Sequence, residues 1–280
     1  MISRATASGA AAILLWSLLA LLSRAAASIP PFQLAAMSFA VSGGLGLAWL
    51  VLRGNLGVLR QRPLVWLHGA GGLFGYHALF FAALARAPAA EATLINYTWP
   101  LLIVLLSAPV LGLRLTPRHL LGVATGLAGS LLLLAQGTSF SAEAISGYLF
   151  AAGAALTWAA YSVLARRLHT VPSSAVLGFC AASFLLASMA HLAFETTVIP
   201  TASAAVAVLL LGLGPVDIAF VLWDTGMKHG DPRLLGILAY ATPVLSTLFL
   251  GLAGFAPLSL TTITAALLVT AGGWLAARAG

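Results

Sequence analysis

The sequence predicts an all-α integral membrane protein in which ten transmembrane helices form two inverted five-helix repeats. Three observations predict this fold: the composition, the apolar runs, and a repeat that relates the two halves of the chain. Of 280 residues, 61% are hydrophobic and 7% are charged, and the mean hydropathy is +1.05. Soluble domains are about one quarter charged, so water is not the main solvent of this chain.

Ten apolar runs have the length of about 20 residues that crosses the hydrocarbon core of a bilayer. They cover residues 5–22, 32–52, 64–85, 90–111, 117–135, 145–165, 173–194, 203–226, 233–253 and 258–276. Clusters of proline, glycine and charged residues separate them, as at Arg60–Pro63. The first run also has the features of a secretory signal, but its counterpart in the second half predicts a retained helix.

The distribution of charge predicts an orientation. The ten crossings place 11 of the 13 basic residues on the side of the termini, and only Arg24 and Arg86 on the other side. By the positive-inside rule, both termini are expected in the cytoplasm. Because the basic residues fall singly or in pairs, we expect membrane lipid rather than nucleic acid as the partner.

The internal repeat predicts two halves, residues 1–140 and 141–280. A shift of 142 residues places Trp16 on Trp158, Arg24 on Arg166 and Pro30 on Pro172. A shift of 143 places Gly71 on Gly214, Tyr97 on Tyr240, Pro100 on Pro243 and Gly129 on Gly272. Each half has an odd number of crossings, so the halves insert in opposite senses. This plan is typical of secondary transporters whose substrate site lies between the halves, near the midplane.

The fourth and ninth predicted helices carry matching faces. Thr93, Asn96, Tyr97 and Pro100 share one helical face, and Gly236, Ala239, Tyr240 and Pro243 repeat that spacing. Proline frees the carbonyl four residues earlier, here at Asn96 and Ala239. These carbonyls are expected either to accept bonds from a substrate ammonium at a hinge, or to be satisfied by neighbouring helices.

Aromatic residues inside the spans predict a lined cavity. The set is Trp16, Tyr76, Phe80, Trp99, Trp158, Tyr161 and Tyr240. A buried indole N–H or phenol O–H needs a partner, which lipid does not offer. The alternative for any single ring is packing between helices. Trp223 fits either the cavity or the interfacial belt to which Trp49, Trp66 and Trp274 are assigned.

Ionisable side chains inside spans are functional candidates, because their insertion is costly. Asp217 and His77 are the deepest, and either is a candidate to bind a proton or a substrate amine. The alternative role for Asp224 is an ion pair with Lys228, four residues later in the same helix. His68 and His191 are interpreted as structural.

Small residues predict how two helices meet. Gly122, Gly126 and Gly129 in the fifth helix, with Gly272 and Gly273 in the tenth, permit close approach. We expect this contact within one chain, so a monomer, with a homodimer as the alternative.

The segment Leu111–Pro117 followed by Leu120–Val123 resembles the EamA-type drug/metabolite transporter superfamily. The resemblance covers the whole chain, and its aromatic-rich helices are most similar to the aromatic amino-acid exporter (YddG-type) branch. It implies export of aromatic and other apolar amino acids across a bacterial inner membrane by alternating access. The family usually has Glu at the place of Leu113, and the counterpart near Ala256 is also apolar, so a role for that carboxylate is not expected here.

Two other functions remain as alternatives: efflux of drugs or other metabolites, and a membrane-embedded enzyme or scaffold. The sequence contains no P-loop, HExxH or zinc spacing and a single cysteine, Cys180. We therefore expect no cofactor, no metal and no catalysis. Because the usual loop Glu is absent, facilitated diffusion is expected, with proton exchange through Asp217 as the alternative.

Overall fold

The computed structural model describes residues 3–135, 138–255 and 259–279. It consists of helices joined by short connections. The first half contains α1 (Arg4–Trp16), α2 (Leu19–Ala25), α3 (Pro31–Leu52), α4 (Pro63–Leu84), α5 (Ala89–Asn96), α6 (Trp99–Leu111) and α7 (Pro117–Leu134). The second half contains α8 (Ile145–Ala165), α9 (Ala175–Phe194), α10 (Ala202–Leu211), α11 (Ala219–His229), α12 (Pro232–Leu238), α13 (Ala241–Leu252) and α14 (Leu260–Ala277).

These helices make ten spans, because α1–α2, α5–α6, α10–α11 and α12–α13 are each one interrupted span. Over the described ranges, nine spans are long and apolar enough to cross a membrane by length and composition alone. The tenth, α4, also has 22 residues. Its two histidines and four glycines lower its mean hydropathy.

Local capping chemistry sets the helix boundaries. Pro63 and Pro117 begin α4 and α7 at positions where the missing N–H is harmless. The Thr116 side chain accepts a bond from the His119 backbone N–H and completes a capping box. Gly112 ends α6 in the left-handed region at φ 69°. The predicted span boundaries therefore lie within about three residues of the observed ones.

The glycine faces bring α7 and α14 together, which confirms the predicted contact. A Cβ at Gly122 would lie 2.8 Å from the Gly272 carbonyl oxygen, and one at Gly272 would lie 2.6 Å from the Gly122 oxygen. In the same way, a Cβ at Gly43 of α3 would lie 2.6 Å from the Ala181 backbone of α9. Small residues thus fix two long helix pairs at backbone contact.

The fourth and ninth spans break near their prolines, as predicted: α5 ends at Asn96 before Pro100, and α12 ends at Leu238 before Pro243. The carbonyl of Ala239 is not free, however, because it accepts the Thr242 N–H at 3.0 Å in a tighter turn. Ala256 lies outside the described residues.

Two further interruptions were not predicted. The first span breaks between α1 and α2, where Ser17 Oγ donates to the Ile13 carbonyl at 2.8 Å and Ser246 Oγ donates to the Ser17 carbonyl at 2.8 Å. The eighth span contains a π-helical turn, Gly212–Ile218, around Pro215. Both interruptions lie at mid-span.

Because the number of spans is even, both ends of the described chain lie at one face of the molecule, here named the terminal face. The other is named the opposite face. Arg24 and Arg86 lie at the opposite face, with their guanidinium carbons 4.7 Å and 5.0 Å from the ring centroids of Phe255 and Phe150. Trp49 and Trp274 lie near the terminal face and are 45% and 54% exposed, as expected of an interfacial belt.

Candidate functional site

A cavity of about 530 Å³ lies between the two halves. Its walls are the parts of the spans that lie between the middle of the molecule and the opposite face. Ser23, near the end of α2, lies toward its mouth, and Trp16, at the break of the first span, lies deepest. Of the predicted site residues, this cavity brings together Trp16, Tyr76, His77, Phe80, Asn96 and Tyr97.

The cavity ends on five rings, named here the aromatic layer: Trp16, Trp99, Trp158, Phe220 and Trp223. Their centroids are 5.0 to 6.4 Å apart in the contacting pairs. A smaller recess of about 120 Å³ continues the cavity into this layer, where it reaches Trp99 and Trp158 beside Pro215. The rings therefore form both the floor of the cavity and a seal beneath it.

Hydrogen bonds fix several of the polar groups on the walls. Trp16 Nε1 donates to the Pro215 carbonyl at 2.9 Å, so the π-helical turn supplies an acceptor for the indole. His77 Nδ1 donates to the Leu73 carbonyl at 2.7 Å. Asn96 Nδ2 donates to the Tyr76 hydroxyl at 3.1 Å.

Asn96 also presents an acceptor without a partner. Its Oδ1 is buried and makes no hydrogen bond within the described part of the chain. Among the described residues that line the cavity and its recess, none carries a formal charge at neutral pH if His77 is neutral. The site therefore combines aromatic walls with a few neutral polar groups.

Two of the predicted aromatic residues do not line the cavity in this structure. Tyr161 lies one helical turn nearer the terminal face than Trp158, against which it stacks at 5.3 Å. Tyr240 is fully buried, and its ring occupies the space beside Gly126. The Tyr161 hydroxyl is buried and has no partner among the residues described, whereas the buried Tyr240 hydroxyl lies beside the Leu101 backbone.

The predicted hinge prolines lie at the break points rather than on the cavity wall. Pro100 is buried, and its carbonyl oxygen would lie 3.0 Å from a Cβ at Gly236. Pro243 is also buried, at the start of α13.

Asp217 lies apart from the cavity. It faces a separate groove of about 400 Å³ beside Trp49 and Leu177, in the terminal half of the molecule. The π-helical turn rotates this carboxylate away from the cavity, whereas Val216, one residue earlier, lines it.

The other ionisable candidates have partners. Asp224 and Lys228 form an ion pair at 2.6 Å, as the i+4 alternative predicted. His191 contacts Glu195 Oε2 at 2.9 Å, and His68 stacks on Tyr161 at 4.8 Å. Glu91, which the analysis of the sequence overlooked, is buried within α5 and accepts the Ser139 N–H at 2.6 Å.

Sequence reasoning missed several cavity residues, two of which the repeat could have identified. Phe220, Thr242 and Val216 line the cavity or its recess. The shift of 143 relates Phe220 to His77 and Thr242 to Trp99, both predicted site residues. Composition alone does not distinguish Phe220 and Val216 from lipid-facing residues.

Comparisons with known proteins decide the family. The profile of the EamA-like transporter family matches this chain twice, over residues 5–135 and 145–278. The chain belongs to the EamA-like transporter family. As a member of that family it is a multi-pass membrane transporter and not an enzyme.

Proteins with similar sequences include an aromatic amino acid exporter, YddG, of Ancylobacter novellus, which is 52% identical over 272 residues, or 95% of each chain. The YddG of Salmonella typhimurium is 28% identical over 98% of each chain. The uncharacterized inner membrane transporter YedA of Escherichia coli K12 is 29% identical over 79% of this chain and 73% of its own. A crystal structure that is 50% identical superposes with a TM-score of 0.95 over 99% of this chain and 97% of its own.

Proposed function

We propose that this protein exports aromatic and other apolar amino acids across a bacterial inner membrane, by alternating access between residues 1–140 and 141–280. The observation that carries the proposal is the aromatic-walled, uncharged cavity that ends on the aromatic layer between the halves. The relative from Ancylobacter novellus, an aromatic amino acid exporter, supports the same substrate class.

The cavity suits both ends of an aromatic amino acid. Flat rings such as Trp16 and Tyr97 offer stacking to the side chain of the substrate. The unpartnered Oδ1 of Asn96 offers an acceptor to the ammonium group, and the faces of the surrounding rings attract the same cation. The family resemblance leaves efflux of an apolar drug as the second candidate.

The charge distribution supports an orientation with the terminal face in the cytoplasm. The cavity of this structure then opens to the periplasm, as in the release stage of export. Reporter fusions after Arg62, Arg118 and Arg167 should report cytoplasm, and fusions near Ser139 and Thr197 periplasm. A firm inversion at any of these positions would contradict the orientation.

The function is tested by uptake of radiolabelled amino acids into proteoliposomes. Phenylalanine and tryptophan should enter faster than alanine, and glutamate and lysine should enter at the rate of empty liposomes. An apolar drug that moves while no amino acid does would favour the second candidate. A protein that moves nothing would overturn the proposal.

We also propose that the protein works as a monomer, because α7 and α14 use their glycine faces on each other. Size-exclusion chromatography with light scattering tests this, and a stable dimer would contradict it.

A further inference from the structure

A buried ion pair lies beneath the aromatic layer, on the side away from the cavity. Lys228 Nζ is 2.6 Å from Asp224 Oδ2, and the two side chains are 3% and 4% exposed. Lys228 Nζ also donates to the Val171 carbonyl at 2.9 Å, between α8 and α9. Burying two charges carries a large desolvation penalty, and an apolar pair would often be more stable. The presence of this pair is therefore weak evidence for a role in stability alone.

Aromatic and hydroxyl groups surround the pair. Tyr161 lies within electrostatic range of Asp224, and its buried hydroxyl has no partner in the described ranges. The Tyr161 ring stacks on Trp158, and Trp223, next to Asp224 in sequence, donates its Nε1–H to Ser162 Oγ at 3.0 Å. A carboxylate, an ammonium and an aromatic wall therefore lie together on the sealed side of the layer.

The repeat relates this region to the cavity. The shifts of 142 and 143 residues relate Trp16 to Trp158, Leu19 to Tyr161, Ala20 to Ser162, Ser23 to Ala165 and Phe81 to Asp224. The first member of each pair lines the cavity. In an inverted-repeat transporter, access alternates as one repeat moves against the other. The inverted symmetry makes the second members of these pairs the candidates to line the cavity of the state that opens to the terminal face.

We propose that Asp224, Lys228 and the Tyr161 hydroxyl form a second amino-acid binding site, which opens to the terminal face. Lys228 binds the substrate carboxylate and Asp224 binds the substrate ammonium, while the side chain of the substrate packs on Tyr161 and Trp158. A zwitterion supplies one charge of each sign, so it replaces the internal ion pair and leaves neither buried charge unpaired. This inference rests on the proposed transport of amino acids.

The test needs substrate access from one side only. In proteoliposomes that carry Ser23→Cys, a membrane-impermeant maleimide blocks the copies whose cavity mouth faces outward. The native Cys180 is fully buried and does not compete for the reagent. The remaining copies present the terminal face to added tryptophan, to tryptamine, which lacks the carboxylate, and to indole-3-propionate, which lacks the ammonium.

With Asp224 and Lys228 intact, unlabelled tryptophan should inhibit the uptake of radiolabelled tryptophan more strongly than either analogue does. In Asp224→Leu/Lys228→Met, which leaves no unpaired charge, the KM for tryptophan should rise about tenfold, as expected for loss of a charge-assisted hydrogen bond. Tryptophan and the two analogues should then compete about equally. The nearly isosteric Asp224→Asn provides a second measurement. It removes the group that binds the ammonium and keeps Lys228, so indole-3-propionate, but not tryptamine, should compete better relative to tryptophan. Asp231→Asn/Arg233→Gln, which removes another terminal-face pair, should leave the preference unchanged.

If the ion pair serves only to hold the terminal face closed, its removal should change the fluxes of tryptophan, tryptamine and indole-3-propionate by the same factor. Preferences that stay unchanged in both Asp224 variants, while tryptophan is still transported, would overturn this inference alone. A wild-type protein that moves no amino acid would instead overturn the proposed function.

Discussion

The two sides of the aromatic layer are built differently. Toward the opposite face, the helices around the cavity stand apart, and hydrogen bonds there join helices that already pack lengthwise. Gln33 of α3, for example, exchanges bonds of 2.6 Å and 2.9 Å with the backbone of Val198, just after α9. Such bonds stiffen a helix pair without closing the space between the halves.

Toward the terminal face, polar bonds tie separate spans together. Arg167, after α8, donates to the Val110 carbonyl of α6, and Arg233 of α12 donates to the Arg114 carbonyl at 2.8 Å. The Asp231 backbone N–H donates to Thr6 Oγ1 of α1 at 3.1 Å. The two arginine contacts are exposed, and a single hydrogen bond of this kind contributes little net stability. The comparison indicates a seal made of many weak bonds, one buried ion pair and the aromatic layer, which is a seal that can open.

The largest expected effect comes from the layer itself. Trp158 is 4% exposed and contacts the other four rings of the layer. Trp158→Ala should abolish tryptophan flux and lower the free energy of unfolding by about 3 to 5 kcal/mol, because the Trp158 ring belongs both to the floor of the cavity and to the buried core. Flux in proteoliposomes and thermal unfolding in detergent measure the two effects.

Substitution of Tyr97 distinguishes a role in substrate binding from a role in packing, because Tyr97 lies on the cavity wall and is only partly buried. Tyr97→Ala should lower flux at least severalfold with a near-normal melting temperature. Trp274→Ala, in the exposed belt, is the matched control and should leave flux unchanged. If the control proved as damaging as Tyr97→Ala, the cavity would not be the binding site.

A smaller effect is expected at the Asn96 amide. Asn96→Leu removes the free acceptor, so the KM for tryptophan should rise roughly tenfold, as for loss of a hydrogen bond to a charged group. Tyr76→Phe removes only the partner of the Asn96 amide nitrogen and should change KM less. Equal effects of the two substitutions on KM would assign Asn96 a structural role instead.

No effect on transport is expected at Asp217, since its carboxylate faces the separate groove. Flux should be equal with and without an imposed pH gradient, and equal in Asp217→Asn. Uphill accumulation that the gradient drives and the substitution removes would make Asp217 a proton carrier and contradict facilitated diffusion.

Acid should weaken one terminal-face contact outside the spans. Burial raises the pKa of Asp231, but its bonds to the Arg233 guanidinium and backbone outweigh this and hold the pKa below its ordinary value. The stabilisation by this pair is therefore present at neutral pH and is lost only as the pH falls through that lowered value. Asp231→Asn should remove the acid sensitivity of unfolding below pH ~4 that this pair contributes, as measured by thermal melts.

Local signals explain what the sequence could predict. Pro63, Thr116 and Pro117 mark helix ends through their own backbone chemistry, and Pro100 and Pro243 mark the two kinks. The break at Ser17 depends on a bond from Ser246, 229 residues away, so no local pattern reveals it. The rotation of Asp217 away from the cavity likewise depends on the π-helical turn.

The repeat explains the remaining differences between the predicted and the observed cavity residues. Tyr97 and Tyr240 are counterparts in sequence, so both were predicted to line the cavity. A single conformation places Tyr97 on its wall and Tyr240 in the core, because the two halves do not adopt the same conformation at the same time. Sequence identifies the pair, whereas structure shows which member is exposed.

Sided cysteine labelling tests alternating access across the aromatic layer most directly. Ser23→Cys and Ala165→Cys are repeat counterparts on the two sides of the layer, and each is treated with a membrane-impermeant maleimide from each side of oriented vesicles. Ser23→Cys should react only from the opposite face and Ala165→Cys only from the terminal face. Any condition that raises the labelling rate of Ser23→Cys should lower the labelling rate of Ala165→Cys. An Ala165→Cys protein that transports tryptophan but is never labelled from the terminal face would contradict the account.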